Sequence, residues 1–211
     1  MLKTYLFKDL NEIEYKELEE LNCLKEKHFS SNSYVFKVGD TIHEIGIVLN
    51  GNLNIENIDY LGNKTILSNL SDGEVFGETY ALSKQKMMVD VLSLKDSTIL
   101  FLDIDVLFTE KYKDKSWREK LLNNLLTITA NKNLMLSNRI FFTSFKKIRD
   151  RLLAYFSYMS FKTNSKTFNI PFNRQGLADF LNVERSALSK ELGKMRDEGI
   201  IEFYKNSIKL L

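Results

Sequence analysis

The residues best suited to chemistry stand near the end of the chain, in LADFLNVERSALSKEL, Leu177 to Leu192. Apolar residues there recur at helical spacing and leave Arg185, Ser186, Ser189 and Lys190 on the opposite side. Arginine can bond guanine through two acceptors at once, and serine can bond either base type or a phosphate. Arg174 and Gln175 open the preceding helical stretch, a position suited to phosphate. This is contact chemistry for a nucleic acid. Exposed Arg and Lys also serve merely as solvated surface, so the elements that must position them decide between the two readings.

Two helices can present such a surface if they cross closely and turn sharply. Small Ala178 permits the approach, and Leu177, Leu181, Val183 and Leu188 supply a shared core. The bend falls on Asn182, which must adopt a left-handed backbone, usually glycine's task and next best tolerated by asparagine. Asn173 stands where a helix cap belongs. A short strand before (KTFNIPF), limited by Pro171, and a strand–turn–strand after (GIIEFYKNSIKLL, turning at Lys205-Asn206) complete a winged helix-turn-helix.

The charge distribution agrees. The 211 residues carry a net charge of +2, but residues 1–112 hold 11 basic against 19 acidic residues, and residues 113–211 hold 19 against 9. A basic half suits a polyanion. No run approaches the roughly 20 apolar residues that span a bilayer. The N-terminal MLKTYLFKDL is too charged for a signal peptide, and the single Cys23 excludes an intramolecular disulfide. These features point to a cytoplasmic protein with no membrane partner. Ser/His/Asp arrangements, P-loops and paired-Cys metal sites are missing, and the two histidines are far apart, which argues against an enzyme.

Upstream, residues 6–27 read as one helix, with Leu10, Ile13, Leu18, Leu21 and Leu24 on its apolar face and Cys23 buried among them. From about 34 to 104, short alternating runs are separated by Gly39, Asn50-Gly51, Leu61-Gly62 and Asp72-Gly73. Such breaks read as hairpins, and many short strands with even turns read as a barrel or jelly roll. Residues 113–142 form a long helical stretch of roughly 45 Å, suited to a dimer seam through Leu122, Leu125, Thr129, Leu136 and Arg139, or alternatively to packing on its own barrel. The fold class is α+β: a jelly-roll effector domain over 1–112, a dimerisation helix over 113–143, and a winged helix-turn-helix over 144–211.

With VFGE (75–78) after a Gly-containing turn and FNRQGLADFLNVERSALSKELGKMRDEGII (172–201), nearly the full chain resembles the Crp/Fnr transcription regulators. The resemblance implies a cyclic-nucleotide-binding-like, cupin-like barrel and a homodimer on a pseudo-palindromic double-stranded operator, with RNA polymerase as a further partner. It places Arg174 and Gln175 on phosphate, and Arg185, Ser186 and Lys190 at base-reading positions. Two departures matter. Ser186 replaces a glutamate that would accept strongly from cytosine, and Lys190 replaces an arginine and cannot form a two-pronged bond. The operator should therefore differ.

In cyclic-AMP-binding members a Gly-Glu pair is followed about ten residues later by Arg-Ser or Arg-Thr, which hold the phosphate. Gly77-Glu78 is present, but Met87, Met88 and Val89 fall where the second pair belongs, and Lys84 and Lys86 offer point charges only. Cyclic AMP is therefore not expected. Glu78 reads as a residue satisfying turn amides, and Met87, Met88 and Val89 as core or as the lining of an apolar small-molecule effector pocket. One cysteine excludes a cysteine-held iron–sulfur cluster, and His28 or His43 would be the axial ligand of a haem-linked sensor. No cofactor is required. The competing reading is a ligand-binding jelly-roll module that acts through protein partners.

Overall fold

The computed structural model describes residues 4–62 and 64–211, so the first three residues of the N-terminal stretch lie outside the description. The chain divides into two units, Met1–Asn131 and Lys132–Leu211.

In the first unit the alternating runs form β1 (Leu24–Phe29), β2 (Tyr34–Phe36), β3 (Glu44–Asn50), β4 (Leu53–Ile58), β5 (Lys64–Leu70), β6 (Val75–Phe76), β7 (Asp90–Ser93) and β8 (Ser97–Asp103). They pair antiparallel in two sheets, ordered β1-β8-β3-β6 and β2-β7-β4-β5. Ile45, Ile47, Leu53, Ile99 and Leu102 are fully buried. Phe36 packs edge-on against both Phe76 and Phe101. This is a β-sandwich whose alternate residues fill one core.

The turns correct the sequence reading. Leu61-Gly62 does make a hairpin, joining paired β4 and β5. Asn50-Gly51 and Asp72-Gly73 instead carry the chain from one sheet to the other, since β3 pairs with β6 and β8, and β4 pairs with β5 and β7. Gly51 is needed for close approach: a Cβ there would lie 2.5 Å from the Ser97 Cβ. The expected helix over 6–27 is also broken. A short 3-10 turn at Tyr5–Phe7 precedes α1 (Glu12–Glu20), and Asn22, at φ 53°, turns the chain into β1. Cys23 therefore lies between helix and strand, buried, with its thiol donating to the Leu18 carbonyl.

Between β6 and β7 lies α2 (Glu78–Ser83), and after β8 comes α3 (Asp105–Phe108). The long helix α4 (Ser116–Ser144) follows. Its first turns are fastened to the N-terminal segment. Lys120 Nζ lies 2.8 Å from both Glu14 carboxylate oxygens, and Ser116 donates to the same side chain. Asn124 donates to the carbonyls of Leu6 and Lys8. Trp117, Leu121 and Leu125 enter the sandwich core.

The second unit contains the end of α4, then α5 (Ile148–Thr163), β9 (Thr167–Asn169), α6 (Arg174–Leu181), α7 (Arg185–Asp197), β10 (Ile201–Tyr204) and β11 (Ser207–Leu210), with sheet order β10-β11-β9. Leu152, Phe156, Leu177, Ala178, Leu181, Leu188, Leu192, Met195, Ile201 and Ile208 form its core. Pro171 lies just past β9, where its missing N–H interrupts no ladder.

Candidate nucleic-acid interface

Helix α6 begins with Asn173 as N-cap, its side chain accepting from the Gly176 N–H at 2.8 Å. It ends at Asn182 in the left-handed region, φ 52° and ψ 56°. The Val183 N–H then returns to the Ala178 carbonyl at 3.0 Å, closing the bend. Leu188, Leu192 and Met195 bury one face of α7. Arg185, Ser186, Ser189 and Lys190 are all exposed on its other side. Arg174, partly buried, lays its guanidinium over the Phe203 ring at 4.7 Å, and burial pushes its pKa below the ordinary value. It still carries charge at physiological pH. Gln175 is exposed and donates to Asp179 at 2.8 Å.

The bend is held by Arg139, which the sequence placed at a dimer seam, and by Arg151, which it did not single out. Arg139, on α4, donates to the carbonyls of Phe180 and Asp179 at 3.2 and 3.1 Å. Arg151, on α5, donates to those of Leu181 and Asn182 at 2.9 and 2.8 Å, and to Phe145 at 2.7 Å. Two guanidinium groups thus reach the carbonyls of residues 179–182 at the end of α6, where a helix leaves most acceptors without intrahelical partners; the Asp179 carbonyl also accepts the Asn182 N–H at 3.3 Å. Arg149 fastens α7 from the other side, pairing with Glu191 at 2.6 Å and with both oxygens of Glu198. These two carboxylates raise the pKa of Arg149 above its usual value, Glu198 first. The wing, β10 and β11, turns at Lys205, φ 51°, with Tyr204 exposed beside it.

Two family models match in chain order: the cyclic nucleotide-binding domain over residues 26–109 and the Crp-like helix-turn-helix domain over 150–211. The chain belongs to the Crp/Fnr family. Its members are DNA-binding transcription regulators rather than enzymes. Among solved structures, it is similar to CprK complexed with OCPA (15% identity, TM-score 0.65, 92% of this chain and 88% of that one). It is also similar to the c-di-GMP-responsive global regulator CLP of Xanthomonas campestris (15%, 0.59, 95% and 99%). A third is the catabolite activator protein of Thermus thermophilus (18%, 0.51, 99% and 94%). At these identities the likeness concerns the fold. Comparison with curated protein sequences gave no match.

Within this Crp/Fnr sandwich the residues expected around an effector differ in exposure. Gly77, at φ 81°, precedes α2, and Glu78 is buried at its start. Met87 is 2% exposed in the core, whereas Met88 is 70% exposed, and Val89 is partly buried. None of these three side chains offers the N–H or O–H donors that a buried cyclic phosphate requires. Lys84 caps the end of α2 in a left-handed conformation, and both Lys84 and Lys86 are exposed. An open cleft of about 430 Å³ is lined by Phe36, Asp40, Thr41, Ile42, His43, Glu44 and Asp103. It borders Gly77, where a Cβ would lie 3.2 Å from Ile42 and 3.4 Å from Phe36. Three of its lining residues carry carboxylates, and Glu44 among them is paired with Lys27 at 3.0 Å. Met87, Met88 and Val89 thus supply no side-chain donor to a cyclic nucleotide's phosphate.

The histidines are surface residues. His28 lies 2.9 Å from the Thr98 hydroxyl with its side chain 77% exposed, and His43, 59% exposed, lies 4.0 Å from Asp105. Burial raises the Cys23 pKa to about 11, so its thiol stays protonated at neutral pH. No group of three or more metal-ligating side chains occurs among the described residues, nor is any described helix long and apolar enough to cross a membrane.

The five residues expected at a dimer seam do not share one environment. Leu125 lies in the core of the first unit, with Leu122 packed against it. Thr129 turns its hydroxyl back to the carbonyls of Leu125 and Leu126. Arg139 reaches α6, and Leu136 is exposed. Further exposed apolar side chains on α4 are Leu126, Leu134, Met135, Ile140 and Phe141.

Proposed function

We propose that this protein is a homodimeric, sequence-specific regulator that binds a pseudo-palindromic operator and does so without cyclic AMP. The observation that carries the DNA reading is the first half of α7, whose polar residues Arg185, Ser186, Ser189 and Lys190 are exposed over a buried face. That end of the helix meets base edges when it lies in a major groove. Arg185 suits a guanine through O6 and N7, and Lys190 supplies a point charge. Arg174 and Gln175 supply phosphate contacts that set register.

Dimerisation is supported by the exposed apolar side of α4. At about 100° per residue, Leu126, Leu134, Leu136, Ile140 and Phe141 fall within one broad stripe. Thr129 continues it toward the helix start, while Leu122, Leu125 and Arg139 are engaged within their own chain. Pairing two such stripes would place two reading helices about one helical turn of DNA apart. Independence from cyclic AMP is supported by Met87, Met88 and Val89, which cannot donate to a phosphate. A small-molecule effector of another kind would have to suit the acidic cleft at Asp40, Glu44 and Asp103.

The test is a salt titration of binding to random and to selected duplexes, followed by fluorescence anisotropy. Affinity should fall steeply with salt, cyclic AMP should leave it unchanged, and Arg185→Ala should cost about 1–3 kcal/mol at one base position per half-site. Absence of binding at low salt refutes the regulator reading. A native mass spectrum gives the dimer mass, which Ile140→Glu should halve.

A further inference from the structure

The first turn of α7 holds its own carboxylate, in a place the sequence reading did not consider. Glu184, the N-cap, folds its side chain back so that Oε2 accepts from the Ala187 N–H at 2.8 Å. The same oxygen accepts the Ser186 hydroxyl proton. Glutamate is not among the favoured capping residues, and its longer chain lets the carboxylate lie beside the second residue of the helix. Glu184, Arg185 and Ser186 are all exposed. The hydroxyl of Ser186 first, then the N–H groups of Ser186 and Ala187, hold the Glu184 carboxyl below the usual carboxylate range.

This arrangement fixes what Ser186 can do. A free serine hydroxyl donates or accepts and therefore discriminates poorly between bases. Here its one proton is given to Glu184, and only lone pairs are left for a partner. The two hydrogen bonds on Oε2 also leave the lone pairs of Oε1 unused by them. The pair therefore presents acceptors and negative charge. Its complement in a major groove is an exocyclic amino group, N4 of cytosine or N6 of adenine. Guanine O6 and N7, thymine O4 and phosphate oxygens are themselves acceptors and are repelled.

Resting on the DNA-binding reading above, we propose that Glu184 and Ser186 act as one acceptor unit that selects an amino-bearing base, cytosine or adenine, next to the base read by Arg185. Glu184 is then a specificity-determining residue, and Ser186 regains through its neighbour the carboxylate that its position lacks.

The experiment is binding-site selection from a randomised duplex pool with the full chain, its Glu184→Ser variant and its Ser186→Ala variant. Serine keeps a competent cap while removing the carboxylate. The parent should enrich cytosine or adenine at one position per half-site by about tenfold, within the range of a good base contact. Glu184→Ser should flatten that position to within about threefold, leave the Arg185-dependent position intact and raise affinity for random DNA. Replacing the selected base by an analogue without its amino group should weaken the parent about tenfold and leave Glu184→Ser unchanged. If Glu184→Ser fails to fold by circular dichroism, Ser186→Ala, which keeps the cap, must show the same flattening. A folded Glu184→Ser variant with the parent's preferences at every position overturns the proposal while leaving the regulator reading intact. A parent that binds no DNA at low salt overturns both.

Discussion

Replacing Arg151 by alanine removes three hydrogen bonds to main-chain oxygens, two of them at the α6–α7 bend. Bonds involving a charged donor contribute about 1.5–3 kcal/mol each when well shielded. Arg151 is only half-buried and Asn182 is exposed, so water replaces part of each bond. A discounted 1 kcal/mol per bond gives a loss of about 3 kcal/mol. For a unit of 80 residues, Lys132–Leu211, each kcal/mol moves the midpoint by about 4–8 °C, so its transition should fall by about 12–24 °C. Arg151→Lys keeps the charge, but one ammonium cannot span three oxygens as the fork does, and it should recover about a third of the loss. Calorimetry of the full chain reads this directly, with the first unit's transition as internal reference. A shift under about 4 °C would refute the reasoning, because Arg151 would then be a solvated surface charge whose carbonyl partners water satisfies as well. So would equal shifts in both transitions.

Three further outcomes are expected. Asn182→Gly should change stability by less than about 1 kcal/mol, because glycine also accepts the left-handed bend, whereas Asn182→Val should cost about 1–2 kcal/mol in thermal unfolding. Cys23, with its pKa raised to about 11 by burial, should resist an alkylating reagent at pH 8 unless the protein is unfolded; because its folded value lies above the free thiol's 9.0, the stability it contributes is present below pH 9 and fades as pH rises through about 11. For Glu14, burial alone would raise the pKa, but bonds from Lys120, Ser116 and the Asn11 N–H bring it below 4.5. Its contribution is therefore complete above pH 4.5 and lost as pH falls further, and Glu14→Gln should flatten that part of the first unit's acid unfolding profile.

The parts legible in the sequence were those decided locally. Asn173 and Asn182 announce a cap and a left-handed bend by residue type, and the apolar spacing around Leu177, Leu181 and Leu188 identifies the helix pair between them. Turn chemistry at Asn50-Gly51 says only that the chain bends; which sheet the next strand joins depends on which face is buried, and that is settled by distant partners such as Ser97. The break after α1 had a signal in Asn22, but the surrounding leucines kept helical spacing and masked it. On α4 two apolar lines share one helix, and spacing alone does not tell which one the sandwich takes; Leu125 went inward and Leu126 outward. Glu184 was passed over because glutamate is an ordinary surface residue until its oxygen is seen on Ser186. Arg139 read as a seam residue and Arg151 as none, because their partners are backbone atoms.

That last point bears on how the bend can change over time. A side chain that pairs with another side chain ties two positions together, and neither can vary alone. Arg139 and Arg151 grip carbonyl oxygens, which every residue carries, so their hold on residues 179–182 is indifferent to what side chains stand there. Phe180 and Leu181 are restrained by packing and Asn182 by its dihedral angles, while Asp179 is exposed, and the arginines restrain none of these side chains. The anchoring is written in α4 and α5 and the reading surface in α7, so a lineage can rewrite what the helix reads without renegotiating how it is held.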